Sequence, residues 1–335
     1  MLSIYLEIWR MTMSKKFVAG IYAVVGLCLL ASSAFAVPMN DADWYLHVDV
    51  TSLKSGSLAE FVKERKNMHI DSDDKDVDVF LNSTLGKEFK NQIQQLTVYG
   101  DQAGYGDFTL IAQGPFTKEA KEAFFDRVKF SSDYTTSKFN GSTINKWTFE
   151  GYESKEKDSD GDHKISIQLG DDDKPVVLYS AEIDSKMIIV SKDEDEVKAW
   201  LKGSYSKKNL KGEGVFSVVV HLDRAIAHGA LNLNDAGDMD FGFDSKMMKK
   251  ITQFSFSLSE DDDIARIEVG LVATDEKVAM QLRNIANGLI ALQSMAGDID
   301  QDIQAVVSNL SIDVDGVNLL FKTSISTKQL KELVD

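Results

Sequence analysis

Lys202-Gly203-Ser204-Tyr205-Ser206-Lys207-Lys208-Asn209-Leu210-Lys211-Gly212-Glu213-Gly214 is the stretch on which the reading of this fold turns. It is polar and rich in Gly, Ser and Lys, with strongly apolar runs on both sides, the composition of a connection rather than an element. It divides the chain into a first half, 37–205, and a second half, 206–335. Only three prolines occur in the 335 residues, and no low-complexity tract offers a competing boundary.

The first half opens with Trp44-Tyr45-Leu46-His47-Val48-Asp49-Val50, a strand pattern with β-formers at alternating positions. The pattern then predicts a helix around 57–66, an acidic loop over 71–78 and a short helix near 88–93. Leu96 to Tyr99 and Phe108 to Ala112 read as paired strands. Thr117 is placed to cap a helix over 118–128, with Ala120, Phe124 and Val128 on one face. Strands over 143–149, 164–169, 176–180 and 187–190 follow, and a helix from Asp193 to Leu201 closes the half.

The second half replays much of this order. Val215 to His221 is a strand, Asp223 starts a short helix, and Phe254-Ser255-Phe256-Ser257-Leu258 alternates cleanly. Ala265 to Val272 is its partner strand. Thr274 or Asp275 caps a long helix through Met295 whose apolar stripe is Val278, Leu282, Ile285, Leu289 and Leu292. Strands over 310–314 and 317–324 lead to a terminal helix, 327–334. Gln95 to Val128 lies over Gln253 to Ala286 at a constant offset, with almost no residue identity. The expected fold class is therefore α+β: two similar halves, each a mainly antiparallel sheet with helices on one face, and a possible internal duplication.

Outward from this core, residues 13–36 have the form of a bacterial secretory signal peptide. Lys15 and Lys16 give the basic start, Phe17 to Leu30 the apolar stretch, and Ala34-Phe35-Ala36 the small-residue cleavage box. The apolar stretch falls short of the about 20 residues that a membrane span needs. Residues 1–12 stand ahead of this leader, and Met11 or Met13 would make a better start. The sequence thus points to a periplasmic protein beginning near Val37, with full secretion or an uncleaved N-terminal anchor as alternatives. Cys28, the single cysteine, leaves with the leader, so the mature chain has no thiol, disulfide or thiolate metal site. The net charge of -16 becomes more negative on cleavage. Such a balance repels polyanions, which excludes nucleic acid as the expected partner, since phosphate binding needs a Lys/Arg face.

Three patterns hold candidate chemistry. His47-Val48-Asp49 and His221-Leu222-Asp223 sit at corresponding strand ends and could form a paired His/carboxylate site. The plainer reading makes each Asp a helix N-cap, and a third such triplet, His69-Ile70-Asp71, recurs in an acidic loop. Asp158-Ser159-Asp160-Gly161-Asp162-His163 resembles the start of a calcium loop, which makes Asp158, Asp160 and Asp162 the candidate metal ligands and calcium the candidate cofactor. Counted from Asp158, Gly161 falls at position four and Leu169 stands where a bidentate Glu is needed, so a hairpin loop fits this stretch better. Acidic runs at 171–173, 193–196 and 260–263 read as solvated faces, helix starts or hairpin tips. Met280 and Met295 on the long helix, with Met247 and Met248 upstream, could line a groove but match core packing. Gly288 within that helix suggests close packing or a bend.

The sequence contains no G-x-S-x-G elbow, H-E-x-x-H, P-loop or G-x-G-x-x-G motif. Gly104-Tyr105-Gly106 reads as a turn. The expected function is that of an exported, non-catalytic binding or interaction module for an envelope protein or small ligand. A calcium-binding envelope protein and a carboxylate- or His/Asp-based hydrolase are the alternatives.

Overall fold

In a computed structural model of the chain, the described residues are 42–59, 86–100, 108–149 apart from 132, 152–158 and 161–167 (backbone only), 175–205, 210, 214–227, 249–295, 306 and 308–334. The first part of the chain forms β1 (Trp44–Asp49), α1 (Val50–Ser55), α2 (Lys87–Gln92), β2 (Gln95–Gly100), β3 (Thr109–Gln113), α3 (Lys118–Val128), β4 (Thr135–Phe139) and β5 (Ser142–Phe149). It continues through β6 (Tyr152–Asp158), β7 (Gly161–Ile167), β8 (Val176–Asp184), β9 (Met187–Ser191) and α4 (Glu194–Lys202). The remainder is β10 (Phe216–His221), α5 (Leu222–Ala227), β11 (Ile251–Asp261), β12 (Ile264–Ala273), α6 (Glu276–Met295), β13 (Ser311–Asp315), β14 (Asn318–Ser326) and α7 (Thr327–Val334).

Twelve of these strands make one antiparallel sheet in the order β13-β14-β12-β11-β10-β1-β2-β3-β9-β8-β5-β4, and β6 pairs with β7 separately. This overturns the expected fold class of two halves, each with its own sheet. The physical reason lies in the middle of the sheet. β1 and β10 lead the two halves, and each would otherwise present an open edge. They pair antiparallel instead, Trp44 opposite Val220 and His47 opposite Ser217, and so weld the halves into one sheet. Trp44, Tyr45, Leu46 and His47 are all buried, as befits a strand with neighbours on both sides and cover on both faces.

Helices on one face is likewise overturned. Side chains alternate across a strand, so residues opposite one another in the register share a face. Ala112, Ile188, Leu178 and Trp147 pack with Phe89, Phe116, Phe124 and Val128 beneath α2 and α3. Tyr99, on the other parity of the neighbouring strand, meets α4 through a 2.6 Å hydrogen bond donated by Trp200 Nε1. Helices therefore cover both faces.

Local sequence accounts for the elements that place the outer strands. Thr117 caps α3 by accepting from the Ala120 amide at 3.2 Å, and Ala120, Phe124 and Val128 are its buried residues, as their spacing predicts. Phe124 and Phe116 stack on Phe89 with centroids 4.9 and 4.5 Å away. Asp275 is the residue that caps α6, accepting from Val278 N at 2.9 Å, and Val278 and Leu282 are buried beneath that helix. A Cβ on Gly288 would meet nothing within 4 Å, so close packing does not explain that glycine. Two strands carry no apolar alternation: β4 reads Thr-Thr-Ser-Lys-Phe and β6 reads Tyr-Glu-Ser-Lys-Glu-Lys-Asp.

Candidate interaction surface

The His/Asp patterns do not assemble a shared site. His47 lies on β1 opposite Ser217, four residues along β10 from His221, which is about 13 Å at strand rise. His47 Nδ1 lies 3.0 Å from Thr97 Oγ1, and burial holds its pKa below the ordinary imidazole value against the opposing pull of Asp49. Asp49 is spent as the N-cap of α1, accepting from Ser52 N at 2.9 Å. Burial, then the Arg224 charge, lowers the pKa of His221, while Asp223 and Asp43 oppose the shift. Asp223 sits inside the first turn of α5 rather than capping it, because the helix already starts at Leu222.

The acidic runs serve the fold where they are described. Asp193 caps α4. Glu196 accepts from Tyr99 OH at 2.5 Å and from Tyr205 OH at 2.8 Å. Glu260, at the end of β11, accepts from the Ser57 amide at 2.5 Å, from the Ser57 hydroxyl and from the Leu58 amide at 3.2 Å. It thereby ties the helical turn at 57–59 to the β11–β12 hairpin. Among the candidate calcium ligands, Asp158 ends β6 opposite Gly161, and Asp162 stands on the next rung opposite Lys157. Asp160 lies outside the described residues, as do His69-Ile70-Asp71, the run 171–173, Gly104-Tyr105-Gly106, Met247 and Met248, the leader 1–36 and most of the helix expected over 57–66. No group of three or more His, Cys, Asp or Glu suited to a metal ion occurs among the described residues.

One corner of the molecule gathers the features of a binding surface. It begins where α3 ends. Phe130, just past that helix, is 89% exposed, the most open large apolar side chain among the described residues. Hydrogen bonds hold the residues around it. Phe130 N donates to Arg127 O at 3.1 Å and Tyr134 N to Ser131 O at 3.2 Å. Ser131 Oγ donates to Thr148 O at 3.1 Å and accepts from Thr148 N at 3.0 Å. The Phe130 ring stands in solvent just past α3, next to a backbone tied to β5 through Ser131.

The loop delivers the chain to β4, the terminal strand of the sheet. Thr135, Thr136, Ser137 and Lys138 are all exposed. Asn140 and Gly141, with φ of 48° and 82°, make the tight turn into β5, the backbone signature of a two-residue hairpin loop. Register follows from it: Phe139 opposite Ser142, Lys138 opposite Thr143, Thr136 opposite Asn145.

Beside this edge is a solvent-open groove of about 680 Å³ between α3 and the strands β5 and β8. That volume falls within the about 300–1,000 Å³ range of ligand clefts. Lys121 and Glu182 close one side through a 2.5 Å ion pair. On the other side Tyr134 OH donates to Asn145 Oδ1 at 2.8 Å, and Asn145 Nδ2 to Ser180 O at 3.2 Å. Phe125 and Ile183 give the lining an apolar part.

Sequence reading does not find this corner, because a polar five-residue edge strand has no hydrophobic period. The available signal is Asn140-Gly141 ahead of Ser142 to Phe149, the dipeptide best suited to a tight hairpin.

No known protein family matches the chain, and no curated protein matches it. Solved structures of TP0453 do. Crystal form III is 11% identical with a TM-score of 0.39, covering 88% of this chain and 94% of that one. Form I is 13% identical with a TM-score of 0.37, and form IV 12% with 0.43; each covers 88% of this chain and 92% of that one. Likenesses this distant say nothing about activity or partner. No helix among the described residues is long and apolar enough to cross a membrane.

Proposed function

We propose that this chain is an exported, non-catalytic binding module of the cell envelope, periplasmic after removal of its leader, which engages a protein partner at the corner formed by Phe130, β4 and the adjoining groove. The observation that carries the reading is the exposed terminal strand that follows an exposed aromatic side chain. A strand of this kind presents a row of backbone donors and acceptors to any extended segment that approaches. Aromatic side chains with a rigid backbone are the usual anchors of protein interfaces. The opposite end of the sheet differs in charge: β13 exposes Asp313 and Asp315.

The test is a photo-crosslinking amino acid placed at Phe130 in the exported protein in cells, with Ile264 at the β11–β12 tip as the control position. The expected result is one discrete crosslinked species from Phe130 and none from Ile264. Identical patterns from both positions, or no species from either with the protein folded and exported, would refute the corner as a binding surface.

A further inference from the structure

We infer that the occupant of this corner is an extended acidic segment of a partner protein, added to the sheet as a further strand alongside β4; the inference rests on the binding role proposed above. The backbone argument comes from the hairpin. In a two-residue loop the closing pair, here Phe139 and Ser142, exchanges both hydrogen bonds across the ladder. Bonded pairs then recur every second residue, so Phe139, Ser137 and Thr135 turn their amides and carbonyls toward β5. Thr136 and Lys138 turn theirs outward, past the end of the sheet. An incoming strand therefore meets a donor and an acceptor at each of these two residues.

Charge decides what kind of strand fits. In a chain of net charge -16, this edge is framed by lysines. Lys138 is exposed on the face shared with the groove, and its ammonium is drawn back over β5 to Thr143 Oγ1 at 2.6 Å, which leaves the outer backbone row clear. Lys146 is exposed opposite Thr135, on the other face. Lys202 places its ammonium 5.4 Å from the centre of the Phe139 ring, reaching the end of the strand from α4. Side chains of an added strand alternate between the two faces, and each face carries positive charge near this edge, from Lys138 on one and from Lys146 and Lys202 on the other. A basic segment would meet like charge from Lys138 on one face and from Lys146 and Lys202 on the other, while the groove beyond balances Lys118, Lys121 and Lys129 with Glu122, Glu182 and Asp184.

The experiment uses the mature chain and a fluorescent peptide of alternating valine and glutamate, with the valine–lysine peptide for comparison, read by anisotropy. The glutamate peptide binds and the lysine peptide binds at least about tenfold more weakly, and added salt narrows the difference. Thr136→Pro removes one outward amide without touching the β4–β5 ladder and weakens binding about tenfold. Lys138→Glu, which keeps the strand, shifts the preference toward the lysine peptide. Asp313→Lys, on the far edge, changes nothing. The inference is overturned if the wild-type chain ignores the glutamate peptide, or if neither Thr136→Pro nor Lys138→Glu alters the preference while both variants melt like the parent. The Phe130 crosslink is judged separately. A crosslinked partner that persists undiminished in Thr136→Pro keeps the corner as a binding surface and removes strand addition.

Discussion

Removing the Glu260 carboxylate tests how the outer segments are fastened to the sheet. It accepts from Ser57 N, Ser57 Oγ and Leu58 N, a contact that spans about 200 residues of chain. Hydrogen bonds to a charged group are worth about 1.5–3 kcal/mol when buried, and the half-exposed setting puts this set near the lower bound. A carboxylate at the start of a helical turn adds about 0.3–1 kcal/mol. Glu260→Ala should therefore cost about 2 kcal/mol in urea unfolding of the chain, and Glu260→Gln, which keeps one acceptor, about 1 kcal/mol. Gly56 supplies a sharper form of the test. Its φ of -83° and ψ of 177° are open to any residue, yet a Cβ there would overlap the Glu260 carboxyl. Gly56→Ala should destabilise the parent by displacing that carboxyl. In the Glu260→Ala background the same change should be neutral or stabilising by up to about 1 kcal/mol, since alanine restricts the unfolded chain. The reasoning fails if Glu260→Ala costs under about 0.5 kcal/mol, or if Gly56→Ala has the same effect in both backgrounds.

Three further outcomes are expected. Phe89, 1% exposed and stacked between Phe116 and Phe124, should lose about 3–5 kcal/mol on change to Ala, measured by thermal or urea unfolding. His47 has its folded pKa held below its ordinary 6.5, so the unfolded chain takes up the proton first as pH falls. Its contribution is full above about pH 6.5 and declines below it; the acid-side fall in Tm should be shallower in His47→Gln, and an unchanged slope would remove His47 as its source. Gly141→Ala places a Cβ at φ 82° with nothing within 4 Å of it, so the cost is backbone strain alone, about 1–2 kcal/mol. Circular dichroism melts check this, and peptide binding at β4 should weaken with it.

How much of this was legible in the sequence depends on how local each determinant is. The capping of α3 by Thr117, its Ala120–Phe124–Val128 stripe, the capping of α4 by Asp193 and the alternation of β11 are set by residues within a turn or two, and could be read directly. Asp49 as a cap was equally readable. The partners of Glu260, Tyr99 and Glu196 were not, because each bond joins residues far apart in sequence. The β4 corner was hidden for a different reason. Thr135-Thr136-Ser137-Lys138 carries no burial to encode, and only the Asn140-Gly141 turn announces it.

By itself the sequence determined most of the strands and helices, though not β4 or β6, together with the leader-like composition of residues 13–36 and the strongly negative charge. Tertiary structure alone decided that the two halves share one sheet, that helices cover both faces, and that β4 is left at the end. The reason is that strand pairing is a contest among backbone edges that all offer the same donors and acceptors. Side-chain pattern says which residues become strands and which face is buried. Which edge finds which partner is settled only when β1 and β10, well over a hundred residues apart, meet.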